Sequence, residues 1–472
     1  MNIKYQKCGG LSFLDGAFRS VRLRAAAGSE VRWLFALAVL FVSGANAAAS
    51  DSIPGADQVQ PIALIGGDIH TVSGPVIEGG TIVFDKGRII AVGKKRDIPA
   101  GAKRIQLDGR RVYPGLIAAS TNLGLIEIGR VRATDDISET GTINPNSLAE
   151  TAVNPDSELI PVTRSNGVLM ALSMPGGGLI SGKSVVLKLD GWTWEDMTLR
   201  SSAALHVRWP KMSPIEGWRV EKSKKEQLDE RDEKIKALRR AFDDARAYQT
   251  AKQAHAAGKA AAVDGDARWE AMLPVLRGET PVIVHADRSA QIQAAVAFAV
   301  EQRIKLIIMG GYDAPDCAEL LKQHDVPVIV SAVYRLPLRR TEPYDTPFTV
   351  PERLRRAGIK FCIAGGSRFS TANSRNLPYH AAMAVGFGLS PDEAVRSVTL
   401  YAAEILGVAD RVGSLEVGKD ATLFIADGDI LETPTQVEMA YIQGRAVDLS
   451  DRHKRLWEKY REKYRRQRAA GE

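Results

Sequence analysis

The stretch of this chain best equipped for chemistry is VIVHADR, where His285 and Asp287 close an apolar run. If the strand continues, residues two apart face the same way, so an imidazole and a carboxylate converge there. That pairing suits general acid-base work or the capture of a metal ion. His285 and Asp287 are therefore the candidate catalytic residues, with His285 the candidate metal ligand. Asp313, in the loop after the next apolar run, is a further carboxylate within possible reach. His380 opens a helical segment after a loop that carries Ser367, Arg368 and Asn373. It is a candidate for the pocket as well, with capping or packing as the plain alternative. His206, inside AALHVRW, reads as a core or outward-facing histidine. His70, His255, His324 and His453 carry no signal. No Gly-x-Ser-x-Gly elbow occurs. The run Pro175-Gly176-Gly177-Gly178 could form an anion-binding nest, but no phosphate-loop lysine follows it and a flexible loop is the plainer reading.

These residues need elements to position them. Eight short apolar runs recur: VYPGLIAA (112–119), GVLMALSM (167–174), KSVVLKL (183–189), AALHVRW (203–209), TPVIVHA (280–286), IKLIIMGG (304–311), VPVIVSA (326–332) and IKFCIAGG (359–366). Near-continuous Val/Ile/Leu runs suit parallel strands covered on both faces. Eight of them alternating with helices predict an α/β fold built on a (β/α)8 TIM barrel, whose chemistry would sit at the C-terminal strand ends. Trp192 and Trp194, beyond the third run, would then stand beside the mouth or bury a loop. Residues 61–113 alternate β-rich runs with turns, and the style returns at 412–447, so both ends together predict a small composite β-sandwich beside a barrel over 114–411. A charged segment over 221–258 has Leu228, Ile235, Leu238, Phe242 and Ala245 on one stripe and predicts a barrel helix packed on its strand. Residues 448–472 predict a basic helical tail with Leu456, Trp457, Tyr460 and Tyr464. It reads as a solvated helix, with contact at an anionic membrane surface as the sharper alternative.

The chain has 472 residues, 45% hydrophobic and 25% charged, enough for a sizeable core. Its net charge of +7 is concentrated at the ends: residues 1–47 carry +4 and 451–472 carry +5, leaving the 403 residues between at −2. The body is not a cationic face, and no nucleic-acid partner is expected. Arg32, the apolar run WLFALAVLFVSG and Ala45-Asn46-Ala47 describe a signal peptide over 1–47, with an uncleaved anchor as the alternative. The stretch before Arg32 is long for such a segment, so residues 1–30 read as a mis-called start. The expected location is the bacterial periplasm or outside the cell, with no stable membrane insertion after cleavage. Of three cysteines, Cys8 would leave with that segment; Cys317 and Cys362 sit in apolar settings that favour free thiols.

The split β domain, the barrel and the junction VYPGLIAASTNLG resemble the amidohydrolase superfamily, in its secreted imidazolonepropionase-like and prolidase-like branch. The stretch LSPDEAVRSVTLYAAEILGVADRVGSLEVGKDATLFIADGD (389–429) is similar to that family's C-terminal signature almost throughout. The resemblance implies metal-dependent hydrolysis of C–N bonds in amides, cyclic amides or dipeptide-like substrates. One or two divalent ions would activate water and polarise the carbonyl. The family draws its ligands from a His-x-His ending strand one, sometimes a Lys or Glu on strand four, a His on strands five and six, and an Asp on strand eight.

Placed on this chain, the strand-one positions are Ser120 and Asn122, strand six has Gly310 and strand eight has Ser367. Strand four ends without Lys or Glu, and Lys188 lies on strand three, the wrong strand for a bridging ligand. Only His285 survives. Neutral hydroxyls and amides do not hold a divalent ion strongly. The expectation is a degenerate family member with no cofactor, its pocket lined by Ser120, Asn122, Gly310 and Ser367, with Asp313, Arg368 and His380 as further pocket candidates. Three alternatives stay open: a hydrolase with zinc, iron or manganese in a rebuilt mononuclear site at His285; a ligand-binding subunit paired with an active homologue; and an enzyme using His285 as a metal-free general base. A small-molecule ligand and a homo- or hetero-oligomer are the expected partners.

Overall fold

In chain order the strands are β1 (Ile62–Ile69), β2 (Ile77–Asp85), β3 (Arg88–Gly93), β4 (Lys103–Gln106), β5 (Arg111–Pro114), β6 (Leu116–Thr121), β7 (Val168–Ser173), β8 (Ile180–Lys188), β9 (Thr198–Arg208), β10 (Val282–Ala286), β11 (Leu306–Gly310), β12 (Val328–Ser331), β13 (Phe361–Ala364), β14 (Leu423–Ala426), β15 (Val437–Ile442) and β16 (Arg445–Ala446). This computed structural model describes residues 52–365 and 371–470. The segment 1–47, Ser367 and Arg368 lie outside the described residues.

Strands from both ends of the chain share one sheet, in the order β16-β15-β14-β5-β1-β2-β3, with β4 also pairing β1. Its seam is the antiparallel pairing of β14 with β5, from Leu423 opposite Pro114 to Ala426 opposite Arg111. Leu64, Ile82, Phe84, Leu107, Leu423 and Ile425 form its own apolar core. The second sheet runs β13-β12-β11-β10-β9-β8-β7-β6, a nearly closed eight-stranded barrel. Period-two burial divides its residues. Ile117, Met170, Val186, Ile283, Met309, Ile329 and Cys362 pack together as the barrel filling. Their sequence neighbours Leu116, Leu169, Leu187, Val282, Ile308, Val328 and Phe361 pack outward against the helices.

The barrel departs from the expected eight parallel strands at one place. β8 runs antiparallel to both β7 and β9. The cause is chain length: six residues, 174–179, join β7 to β8, and nine, 189–197, join β8 to β9. A parallel crossover needs about a dozen or more, so each short link turns the strand back. The start of β8 therefore lies at the mouth and its end at the floor. Three features of the sequence take their places from this, and Trp192 and Trp194 move away from the mouth. Lys188 is at the floor, donating to Gln443 Oε1 at 2.6 Å, and has no place in the mouth. Trp192, and Trp194 in the short helix Trp194–Met197, lie on that same floor side. The Pro175–Gly178 run is a hairpin turn, with Gly177 and Gly178 at φ +77° and +57° and the Gly176 amide bonded to the Ile137 carbonyl.

The charged segment folds as the helix Lys224–Ala256, opened by a capping box of Ser223 and Glu226. It buries Leu238, Ala241, Phe242, Ala245 and Tyr248, and Phe242 meets Phe298 edge to face at 5.2 Å, so its stripe is a barrel contact. Cys317 and Cys362 are buried free thiols. The tail helix Arg452–Ala470 buries none of its residues, and no described helix is long and apolar enough to cross a membrane.

Candidate functional site

A cavity of about 890 Å³ opens at the C-terminal ends of the barrel strands. Ser120, Asn122, His285, Asp287 and Gly310, all singled out in the sequence, line it. His285 lies on β10, with Asp287 just past its end. In the ladder with β9, His285 stands opposite Arg208 and Ile283 opposite His206. The period-two rule then puts His206 on the same face as Arg208, one step deeper. His206 is fully buried, and its Nδ1 is 3.3 Å from His285 Nε2. The sequence reading placed His206 in the core or facing outward and did not join it to His285. The two-residue spacing to Arg208, at a strand end, was the available signal.

Two neutral rings at that distance share one proton: one nitrogen donates N–H and the other accepts. Both are kept neutral. Burial, then the positive charge of Arg208, pushes His285 down to about 4. Burial, then His285 and Arg208, holds His206 well below its ordinary value. His206 Nε2 is buried without a hydrogen-bond partner among the described residues.

The remaining candidates separate. Asp287 accepts from Arg335 Nη1 at 3.1 Å at the cavity wall. Asp313 is not in the cavity lining, which corrects its reading as a spare ligand. It is buried and paired with Arg339, Nη1 to Oδ1 at 2.9 Å, while the backbone amide and hydroxyl of Ser289 donate to its Oδ2. Burial raises the Asp313 pKa, but Arg339 and Ser289 outweigh it and leave the carboxyl below its usual range. His380 is buried under the wall rather than in the lining. Its ring meets that of Tyr334 edge-on at 4.9 Å, and burial pushes its pKa down to about 4. Asn122 spends its side-chain amide on the Met174 carbonyl at 2.6 Å. Gly310 sits at φ +110°, and a methyl group there would stand 2.9 Å from both the Ala286 carbonyl oxygen and Asp287 Oδ1. Among the described residues no group of three or more His, Cys, Asp or Glu side chains converges as metal ligands would.

The sequence pattern of the amidohydrolase family matches residues 203–447. The chain belongs to that family. It is 27% identical over 407 residues to an imidazolonepropionase of Mesorhizobium japonicum, across 81% of this chain and 92% of that protein. It is 23% identical over 403 residues to the amidohydrolase tasK of Hapsidospora irregularis, of which the match covers 40%. Among solved structures, an amidohydrolase from Thermotoga maritima superposes with a TM-score of 0.72 at 23% identity, over 82% of this chain and 99% of that one, which shows the shared fold. Amidohydrolases of this family use a divalent metal, so the chemistry of the donor set in this member's mouth is the deciding question.

Two of the lowered histidines, His285 and His380, also contribute to the acid stability of this amidohydrolase fold. An unfolded histidine binds its proton near pH 6.5, whereas His285 and His380 do so only near 4 when folded. The stabilisation is thus complete above pH about 6.5 and is lost as pH falls towards 4. At pH about 4.5 each histidine is expected to have withdrawn about 2–3 kcal/mol. Thermal unfolding at pH 7 and pH 4.5 checks this. A His380→Phe variant should lose less over that interval than the parent, and identical losses would contradict the assignment.

Proposed function

We propose that this amidohydrolase-family chain is a degenerate member. On this reading its barrel mouth binds a small molecule and does not carry the family's metal-dependent hydrolysis. The observation that supports it most is Gly310. The strand-six position has no side chain, and its positive φ and the 2.9 Å approaches leave no space for one. At the strand-one positions Ser120 offers a neutral hydroxyl and Asn122, whose Nδ2 donates to the Met174 carbonyl, offers only a neutral amide oxygen, and neither holds a divalent ion strongly. Asp313 is spent on Arg339 and Ser289. Among the described residues, the strong donors left are two touching imidazoles and Asp287, which is paired with Arg335. Arg208, Lys211, Arg288 and Arg335 line the same cavity and repel a divalent cation.

A second reading has one observation in its favour. Two nitrogen ligands of a tetrahedral zinc ion also lie about 3.3 Å apart, the separation of His206 Nδ1 and His285 Nε2. With Asp287 turned inward they would make a mononuclear hydrolase. The variant His285→Ala separates the readings. Under the proposal, metal content and hydrolysis of an amide and dipeptide panel are at background in the parent, and the variant changes neither. Under the second reading the variant loses both together.

A further inference from the structure

We propose that the barrel mouth takes a small organic acid, its carboxylate or phosphate oxygens held by the Arg208 guanidinium and its apolar body lying against the apolar part of the lining. The inference rests on the reading that no divalent metal occupies the mouth.

Charge is the first ground. Among the described residues, four cationic side chains line the cavity, Arg208, Lys211, Arg288 and Arg335, against one carboxylate, Asp287. Arg335 is paired with Asp287, and its guanidinium lies 5.0 Å from the Tyr312 ring centre, so it is held in place. Arg208, Lys211 and Arg288 have no side-chain ion pair among the described residues. Unpaired like charges around a concavity focus their field into it and raise the local concentration of anions. The guanidinium fork matches two oxygens of a carboxylate or a phosphate equally well.

Position is the second. Arg208 closes β9 opposite His285, on a barrel strand and not on an outer loop, and lines the cavity. Ser120, Ser331 and Met309, the last from the barrel filling, line the same cavity. An oxyanion on Arg208 would thus occupy the part of the barrel where the family concentrates positive charge as metal, here supplied by a side chain.

Apolar surface is the third. Met174, Met212, Ile215 and Leu338, which follow three different barrel strands, add apolar surface to the cavity lining. Methionine side chains adapt to ligands of varied outline. A cavity of about 890 Å³ exceeds what an inorganic anion fills, so the class is an organic acid with several carbons.

The test is calorimetric titration of the full chain, stripped with a chelator and assayed for metal in the same sample. The probes are suberate against its uncharged diamide, and phenyl phosphate against phenol. Each anion should bind at about one equivalent, roughly tenfold or more tighter than its neutral partner, and weaken as salt rises. The more tightly bound of the two anions tells a carboxylate site from a phosphate site. Arg208→Gln should lose roughly tenfold in anion affinity, and Arg208→Lys, which keeps the charge without the fork, should lose less. Arg208 is exposed, so both variants should unfold at the parent's temperature. Equal affinity for charged and neutral probes, or an Arg208→Gln variant that binds as the parent does, would overturn this inference and leave the metal-free reading standing. Anion binding that vanishes on chelation and returns with zinc would overturn both.

Discussion

Gly310→Ala and Gly310→His are each expected to cost the fold about 3 kcal/mol or more, and Gly310→His is not expected to gain a metal. The damage starts at the first side-chain carbon. At φ +110° a non-glycine residue is strained, and its Cβ would stand 2.9 Å from the Ala286 carbonyl oxygen and from Asp287 Oδ1. The Asp287 side chain can turn away at the cost of its Arg335 contact, but the Ala286 carbonyl cannot step aside freely. The same Ala286 carbonyl accepts the Gly311 amide at 2.9 Å, and the Asp287 carbonyl accepts the Asp313 amide at 2.8 Å, so the ends of β10 and β11 are bonded together. Overpacking against backbone costs about 1–3 kcal/mol beyond the strain. Denaturant unfolding measures the loss, and the two variants should be alike because they share the Cβ. A Gly310→His protein of parental stability that takes up zinc would show a pliable strand end and remove the main support for a metal-free mouth.

The second large effect lies at the opposite end of the barrel. Arg164 and Asp190 form an ion pair at 2.7 Å, with side chains 3% and 1% exposed. Arg164 also donates to the Leu189 carbonyl at 3.0 Å and to Ser52 Oγ at 2.6 Å, and Asp190 accepts from the Gly55 amide at 3.0 Å. The pair thus fastens the chain at 52–55 to the barrel floor. Removing one partner leaves the other charge buried and alone, at about 3–5 kcal/mol. Arg164→Leu and Asp190→Leu should each lose that much, and the double variant clearly less than their sum. Additive losses below about 1 kcal/mol would contradict this account. Ligand binding at the mouth should be unchanged in whichever variants fold.

The fold was legible because strands covered on both faces announce themselves as apolar runs. All eight barrel runs overlap the strands found there, and five of them, 167–174, 280–286, 304–311, 326–332 and 359–366, contain their strand whole. Their directions were less legible. The apolar character of KSVVLKL is the same whichever way the strand runs, and the brevity of the links around it was the overlooked sign of reversal. That one reversal moved Lys188, Trp192 and Trp194 to the floor side. The site was legible at Ser120, Asn122, His285, Asp287 and Gly310, because motif spacing fixes where a strand ends. His206 was missed because inward and outward phases of a buried strand look alike when both faces are apolar, and only its spacing to Arg208 pointed inward. Spacing could not show that Asp313 belongs to Arg339, which follows it by 26 residues and meets it through a loop. The cationic lining was hidden for the same reason. Arg208, Lys211, Arg288 and Arg335 come from three connections and form one field only when folded.

The most direct measurement is metal content per chain, by elemental mass spectrometry, on protein purified without a histidine tag and then soaked in zinc, iron or manganese. The account predicts well under a tenth of an equivalent tightly held. Near one or two equivalents, lost in His285→Ala, would contradict it and establish a rebuilt metal site at His206 and His285.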